Sequence, residues 1–208
     1  MWLKELASGA AIVVTFLLFV PYIASIYRGS TIPHVFSWIV WAFGTFVVFF
    51  AQLADNAGIG AWPIGLSACI TCYVALLAFR VRRRLEITRQ DWLLFSLAMA
   101  AIPAWRLTDD PMWAVVFLTL ADLLGFGPTL RKSFANPFQE HAGFFALGAV
   151  RNGLVLVALE HYSWTTVLFP AAVGVACIVV AMFLLVRRAS ARRTNMLAAR
   201  SASECDNR

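Results

Sequence analysis

The sequence predicts an all-α transmembrane protein of seven helices, arranged as two tandem, parallel three-helix bundles with one linking helix between them (3+1+3). One observation is composition: of 208 residues, 61% are hydrophobic and only 13% are charged, and the mean hydropathy is +0.76. Soluble domains carry about 25% charged residues. The other is a tandem repeat of three apolar segments, which is typical of membrane proteins built from parallel repeats. Three prolines recur in order at offsets of 107, 104 and 107 residues, with Pro21, Pro33 and Pro63 followed by Pro128, Pro137 and Pro170.

Seven apolar runs define the expected helices. A bilayer span needs about 20 predominantly apolar residues, so the chain has room for seven spans with short loops. Helices are expected because the runs are longer than barrel strands and lack a two-residue alternation. The fourth run, which Pro103 interrupts, lies between the repeats and is the expected linker. The runs are 8–27, 33–53, 61–79, 91–105, 111–130, 142–159 and 165–186.

These runs divide the chain into four expected units. Residues 1–81 would form the first three-helix bundle, and residues 82–110 a basic loop with the linker helix. Residues 111–188 would form the second bundle. Residues 189–208 are a polar, basic tail that we expect to be disordered beyond its first turn.

The distribution of basic residues predicts the orientation. In a seven-span arrangement, 14 of the 17 lysines and arginines fall on one side, while Lys4 and Arg106 fall on the other and Arg151 lies inside a run. By the positive-inside rule the C-terminus is cytoplasmic and the N-terminus is outside. We expect an integral protein of the plasma membrane, which in a bacterium is the inner membrane.

Two charged residues inside apolar runs are the leading candidates for a substrate or coupling site. Asp122 lies about 13 Å from the basic end of the fifth run, and Arg151 lies at a similar depth in the sixth. Charges at this depth are costly and should face the bundle interior. Equal depth favours an ion pair; alternatively, one of them recognises a charged substrate group or carries a proton. The proline offset aligns Asp122 with Thr15, and Asn152 adjoins Arg151 but points about 100° away on the helix.

Trp38 and Trp41 are aromatic candidates on the second run. They are three residues apart and therefore share a helix face. A cavity role is one hypothesis for Trp41. For Trp38, anchoring at the membrane interface or packing is the favoured interpretation. Gln52, near the outer end of the same run, is a candidate gate or interfacial hydrogen-bonding group.

Several function classes lack support in the sequence. It has no H-E-x-x-H motif, no cysteine–histidine cluster and no glycine-rich phosphate loop, so we expect no catalytic site, no metal, no cofactor and no enzyme activity. The net charge of +6 needs no nucleic-acid partner, since topology and anionic lipid account for it. Cys69 and Cys72 form a C-x-x-C within a span and are expected to be packing residues.

Two segments resemble the PQ-loop motif of PQ-loop and SWEET-type membrane proteins. The first is PYI at residues 21–23, followed by RGST at 28–31 and Ser37; Tyr22 stands where the family has glutamine. The second is GPTLRKS at residues 127–133, with Thr129 at that place. The resemblance implies the 3+1+3 fold and identifies Pro21 and Pro128 as hinges, although each could simply shape a helix end. The family's sugar exporters carry an asparagine on the third helix of each repeat, which this sequence lacks.

Two functions are compatible with this pattern. The first hypothesis is a facilitative or proton-coupled carrier of a small polar metabolite, working by alternating access between the repeats. The second is a non-transporting membrane receptor or scaffold with the same fold. The expected partners are membrane lipid and a small-molecule substrate, and the sequence leaves a homo-oligomer open.

Overall fold

A computed structural model describes residues 2–29, 33, 35–81, 89–135 and 142–206 of the chain. Over these residues the protein contains seven α-helices, one short 3₁₀-helix (Gly58–Ala61) and no strand, which confirms the predicted all-helical class. Pro137 and the arginine-rich segment 82–88 lie outside the described residues. The helices are α1 (Trp2–Tyr27), α2 (Val35–Ala54), α3 (Trp62–Val81), α4 (Arg89–Thr108), α5 (Pro111–Ala135), α6 (Ala142–Ala158) and α7 (Trp164–Asp206).

The helices differ in how well their length suits a membrane. Four segments are long and apolar enough to cross a bilayer: Trp2–Tyr27, Ser37–Ala54, Gly58–Val81 and Trp164–Ala191. Three shorter apolar helical segments come from α4, α5 and α6: Trp92–Thr108, Pro111–Phe126 and Ala142–Ala158. Many large apolar side chains stand on the outside of the molecule, as expected where helix surfaces meet lipid.

Three helix ends differ from the apolar runs by five residues or more. α1 begins at Trp2, six residues before the first run, because Lys4 and Glu5 interrupt the apolar pattern but are compatible with a helix. α5 passes through Pro128 to Ala135, and Pro21 likewise lies inside α1. α7 is helical through Asp206, whereas the sequence suggested a disordered tail; its alanines, arginines and leucine are good helix formers.

Each helix packs against two or more others. α3 packs against both α1 and α2, and α7 packs against both α5 and α6. In addition, α1 packs on α6 and α2 packs on α5. α4 lies against α5 and α2. We call the end at which α1, α3 and α5 finish the basic end, and the opposite end, which holds segments 55–61 and 159–163, the loop end.

Among the residues that the structure describes, one large apolar cluster is shared by all the helices and two smaller clusters lie toward the basic end. The largest apolar cluster draws residues from all seven helices, including Ala11, Ile64 and Val155. At the basic end one cluster belongs to α1–α3, around Ile26 and Val74. A separate cluster there belongs to α5–α7, around residues such as Phe145 and Val180.

Candidate functional site

The guanidinium of Arg151 is buried where α6 meets α1 and α3. Its Nε donates to Thr15 Oγ1 at 3.4 Å, and its Nη1 donates to Asn152 Oδ1 at 3.3 Å. Its Nη2 donates to the carbonyl oxygen of Pro63 at 3.0 Å and to Ser67 Oγ at 2.6 Å. All four acceptors are neutral oxygens. Arg151 therefore joins α6 to α1 and α3.

These four hydrogen bonds offset the free-energy cost of burying a charged guanidinium inside an apolar helix. A buried charge must be hydrogen-bonded or paired, and four oxygens occupy four of the five N–H groups of the guanidinium. Pro63 and Ser67 can reach it because they lie in the first turns of α3, at the loop end.

Asp122 lies on the inner face of α5. Val115, Leu118 and Thr119 are seven, four and three residues before it, share its face and are buried. Asp122 itself keeps some accessible surface. Because its neighbours on that face are buried, this surface opens between the helices and not toward lipid. The lipid-facing side of α5 carries the exposed side chains of Leu120, Leu123 and Leu124.

Asp122 and Arg151 do not form the ion pair that the sequence favoured. They interact electrostatically, but within the described part of the chain Asp122 makes neither a hydrogen bond nor an ion-pair contact. The physical reason is that Arg151 extends toward α1 and α3, where oxygens are available. The Asp122 carboxylate is thus an open acceptor inside the molecule.

Thr119 provides a second open polar group on the same face. Its side chain is 4% exposed, and its hydroxyl oxygen has no hydrogen-bond partner among the residues described. A buried hydroxyl without a partner is uncommon and needs an explanation such as a ligand or water. Thr119 is one turn from Asp122, toward the loop end.

Trp41 borders this part of α5. A Cβ added to Gly125 would lie 3.5 Å from the Trp41 indole nitrogen, and Gly125 is three residues after Asp122. The indole N–H of Trp41 has no hydrogen-bond partner in the described ranges. Trp41 is therefore near the open carboxylate, on the side toward the basic end.

The other aromatic candidate, Trp38, packs against aromatic side chains of α1. Its ring lies 5.2 Å from Tyr22 and 6.4 Å from Phe19, measured between ring centroids. It meets Trp41 edge-on at 5.3 Å, and its side chain is buried. These contacts favour packing between α1 and α2 over anchoring at the membrane interface.

Thr15 and Asn152 serve Arg151 and the helix contacts around it. Thr15 is fully buried and donates to the carbonyl of Ala11 at 2.8 Å. Asn152 donates to the carbonyl of Gly148 at 2.8 Å, and its Cβ lies 3.2 Å from the Cβ position of Gly174 on α7. The two residues thus support Arg151, and neither is hydrogen-bonded to Asp122 in the described part of the chain.

The two hinge candidates occupy similar places. Pro21 lies six residues before the end of α1, and Pro128 lies seven residues before the end of α5. Proline removes a backbone donor from each helix. The side-chain surroundings of Pro128 lie outside the described residues, and the hinge role stays a prediction.

A set of contacts at the loop end was missed by sequence reasoning. Segment 55–61 and segment 159–163 bind each other, and we call this contact the loop clasp. The amide of Glu160 donates to the carbonyl of Ala57 at 3.0 Å, and the amide of Ile59 donates to Glu160 Oε1 at 3.3 Å. Ser163 Oγ and His161 Nδ1 both contact Asp55. Asp55 and Glu160 are 105 residues apart, which is close to the offsets between the repeated prolines. This spacing is the sequence feature that could have indicated a contact between the two segments.

Gln52 adds a buried contact beside the loop clasp. It is fully buried and donates from Nε2 to the carbonyl of Thr166 at 2.9 Å, which joins α2 to α7. The expected interfacial hydrogen bond of Gln52 is therefore present. Its Oε1 has no partner within the described segments.

Neither a cluster of metal-ligating residues nor a similarity to known proteins indicates a second functional site in the described residues. No group of three or more metal-ligating side chains occurs among the described residues. No protein-family model, no curated protein and no solved structure matches the chain.

Proposed function

We propose that this protein is a membrane carrier of a small polar metabolite, facilitative or proton-coupled, that works by alternating access between two three-helix bundles. The bundles are α1–α3 and α5–α7, and α4 is the linker. The matching helix order supports this division, because the third helix of each group packs against the first and the second. The contacts between the groups also correspond, since α1 on α6 mirrors α5 on α2.

The observation that supports the proposal most strongly is the open carboxylate of Asp122 between two unlike ends of the molecule. Toward the loop end, the loop clasp, Gln52 and Arg151 join the bundles. Toward the basic end, each bundle has its own apolar cluster. A carrier open toward the basic end would have this distribution of contacts.

The transport cycle follows from that asymmetry. In the present conformation, substrate would reach Asp122, Thr119 and Trp41 from the basic end, which the positive-inside rule assigns to the cytoplasm. In the other conformation the loop clasp would open and the two basic-end clusters would approach each other. Pro21 and Pro128 would accommodate the bending. Asp122 would bind a donor group of the substrate or carry the coupled proton.

A receptor or scaffold is the second candidate, and the length of α7 favours it. The segment suited to a membrane ends at Ala191, but the helix continues to Asp206, and this extension offers a surface to a partner. Truncation after Arg188 would abolish activity in a scaffold. In a carrier, the truncated protein would retain transport.

The experiment that tests the carrier uses Asp122→Asn. Purified protein is first screened for thermal stabilisation by a metabolite library, since a ligand that binds only the folded state raises its stability. A metabolite that stabilises the protein is then measured for flux in proteoliposomes. We expect Asp122→Asn to lower flux by roughly tenfold or more, because a hydrogen bond to a charged group contributes about 1.5–3 kcal/mol.

The matched control is Leu123→Ala, on the lipid-facing side of α5, which should transport at close to the wild-type rate. The melting temperature of Asp122→Asn should match that of wild type, because the carboxylate makes no bond within the described part of the protein. Equal flux for Asp122→Asn and wild type would remove Asp122 from the mechanism.

A further inference from the structure

An apolar groove runs between α1 and α3 on the outside of the molecule. It has a volume of about 240 Å³ and faces the surroundings, not the interface between the bundles. Apart from Tyr73, its lining has no polar group that favours water over a hydrocarbon chain. It is lined by Phe16, Phe19, Val20, Ile23, Cys69, Ile70 and Tyr73.

A pair of hydroxyl groups closes this groove at the basic end. The hydroxyl oxygens of Tyr27 and Tyr73 are 2.5 Å apart and hydrogen-bonded, and Tyr73 also lines the groove. Two hydroxyls carry two protons, and the bond between them uses one. The second proton is free to be donated to an acceptor at the mouth of the groove.

One arginine acts on this hydroxyl pair, and a second adjoins it in sequence. Arg80 lies two turns beyond Tyr73 on the same face of α3 and interacts electrostatically with it. Arg28 follows Tyr27 directly. Both arginines are exposed, and neither forms an ion pair with any residue that the structure describes. This end of the groove therefore offers a spare O–H donor and the positive charge of Arg80, with a second arginine at the end of α1.

A second groove, between α5 and α7, serves as an internal comparison. It is larger, about 440 Å³, and includes Leu123 and Ala176, the counterparts of Phe16 and Cys69 at the 107-residue offset. Its lining runs toward Trp164 at the loop end. No hydroxyl group is among the residues that line it, whereas Tyr73 lines the first groove. Arg187, the counterpart of Arg80 at the same offset, donates to the carbonyl of Phe134 at 2.6 Å. Apolar space is thus common to both grooves, and the hydroxyl pair belongs to the first.

We propose that the groove between α1 and α3 binds an anionic phospholipid. One acyl chain would lie along Phe16, Val20 and Ile23, and the phosphate would accept a hydrogen bond from the Tyr27–Tyr73 pair and lie near Arg28 and Arg80. Basic pockets at the ends of membrane helices bind anionic head groups in this way. The site is outside the proposed substrate path and does not depend on transport.

The test compares two lipids with the same acyl chains, phosphatidylglycerol and phosphatidylcholine, added to the purified protein in detergent. Native mass spectrometry measures retained lipid, and thermal unfolding measures stabilisation. Wild type should retain phosphatidylglycerol preferentially and gain stability from it. Arg28→Gln and Arg80→Gln should each reduce that preference roughly fivefold. The double variant Tyr27→Phe/Tyr73→Phe should reduce it as well. Arg106→Gln, an exposed arginine at the loop end, should not.

A second pair of variants tests the acyl-chain position without altering any charge. Ile23→Trp fills the first groove and should lower retention of phosphatidylglycerol, whereas Ala172→Trp fills the second groove and should leave it unchanged. Equal retention of the two lipids by wild type would overturn the proposal. So would full stabilisation by glycerol phosphate alone, since that result would indicate a soluble anion and not a lipid.

Discussion

At the scale of single residues, Arg151 and Asp122 have opposite situations although both are charges within apolar helices. Arg151 is held by four neutral oxygens from α1, α3 and α6. Asp122 faces the interior without a hydrogen-bond partner among the described residues. Arg151 therefore acts mainly as a brace between helices, and Asp122 is the group available to a ligand.

The sequence identified both residues because a charge in an apolar run stands out, but it could not assign their partners. Counting residues along a helix fixes the depth of a side chain, and equal depth favoured an ion pair. The depth of a side chain does not determine which helices lie beside that side chain. The carbonyl of Pro63 and the hydroxyl of Ser67 become neighbours of Arg151 because α1 packs against both α6 and α3.

The brace predicts that Arg151→Gln lowers stability. The change removes hydrogen bonds to a charged donor and leaves buried acceptors without partners, a loss of about 3 kcal/mol or more in the free energy of unfolding. Thermal unfolding in detergent would show a clear fall in melting temperature. Arg151→Lys keeps the positive charge but lacks the planar set of guanidinium N–H donors. This variant should therefore recover only part of the lost melting temperature. A wild-type melting temperature for Arg151→Gln would contradict the bracing role.

At the scale of elements, the loop end depends on close backbone approach. In the 3₁₀-helix, Gly60 lies against the backbone at the end of α6, where an added Cβ would be 2.7 Å from the amide nitrogen of Leu159 and 2.8 Å from its Cα. Backbone atoms cannot move aside as a flexible side chain can. Only a residue without a Cβ allows segment 55–61 to lie so close to segment 159–163.

This contact predicts that Gly60→Ala weakens the loop clasp. Overpacking of this kind costs typically about 1–3 kcal/mol, so the melting temperature should fall and amide hydrogen exchange should quicken in segments 55–61 and 159–163. The control is Gly143→Ala in α6, where nothing lies within 4 Å of an added Cβ. Alanine there should be neutral or slightly stabilising. Equal melting temperatures and equal amide exchange rates for the two variants would show that the close backbone approach at Gly60 does not contribute to stability.

The helices themselves were the most predictable elements, because apolar runs of bilayer length leave few alternatives. The runs located all seven helices, and the breaks near residues 55–61 and 159–163 located the turns of the loop end. The binding of these turns to each other was not predictable from hydropathy, since it depends on backbone amides and carbonyls. Those groups are the same at every position in the sequence.

At the scale of the whole molecule, the two proposed bundles, α1–α3 and α5–α7, are joined toward the loop end by the loop clasp, Gln52 and Arg151. In the described part of the chain, the apolar clusters around Val74 and Val180 toward the basic end each draw on one proposed bundle. The repeated prolines suggested two similar bundles. Their chemistry is unequal already in the sequence, since Asp122 and Arg151 both belong to the second repeat; the structure adds the unpartnered hydroxyl of Thr119 on the face of Asp122.

In the proposed transport cycle, the bundles exchange between this conformation and one that is open at the loop end. The most direct measurement is of spin-label distances in nanodiscs, with one pair at the loop end on Ala54 and Trp164 and a second pair at the basic end on Arg28 and Gly143. These positions are exposed, and each pair joins the two bundles. Alternating access predicts two populations for each pair, with the longer loop-end distance accompanying the shorter basic-end distance. A single population for both pairs, unchanged by Gly60→Ala and by any metabolite that stabilises the protein, would contradict the claim.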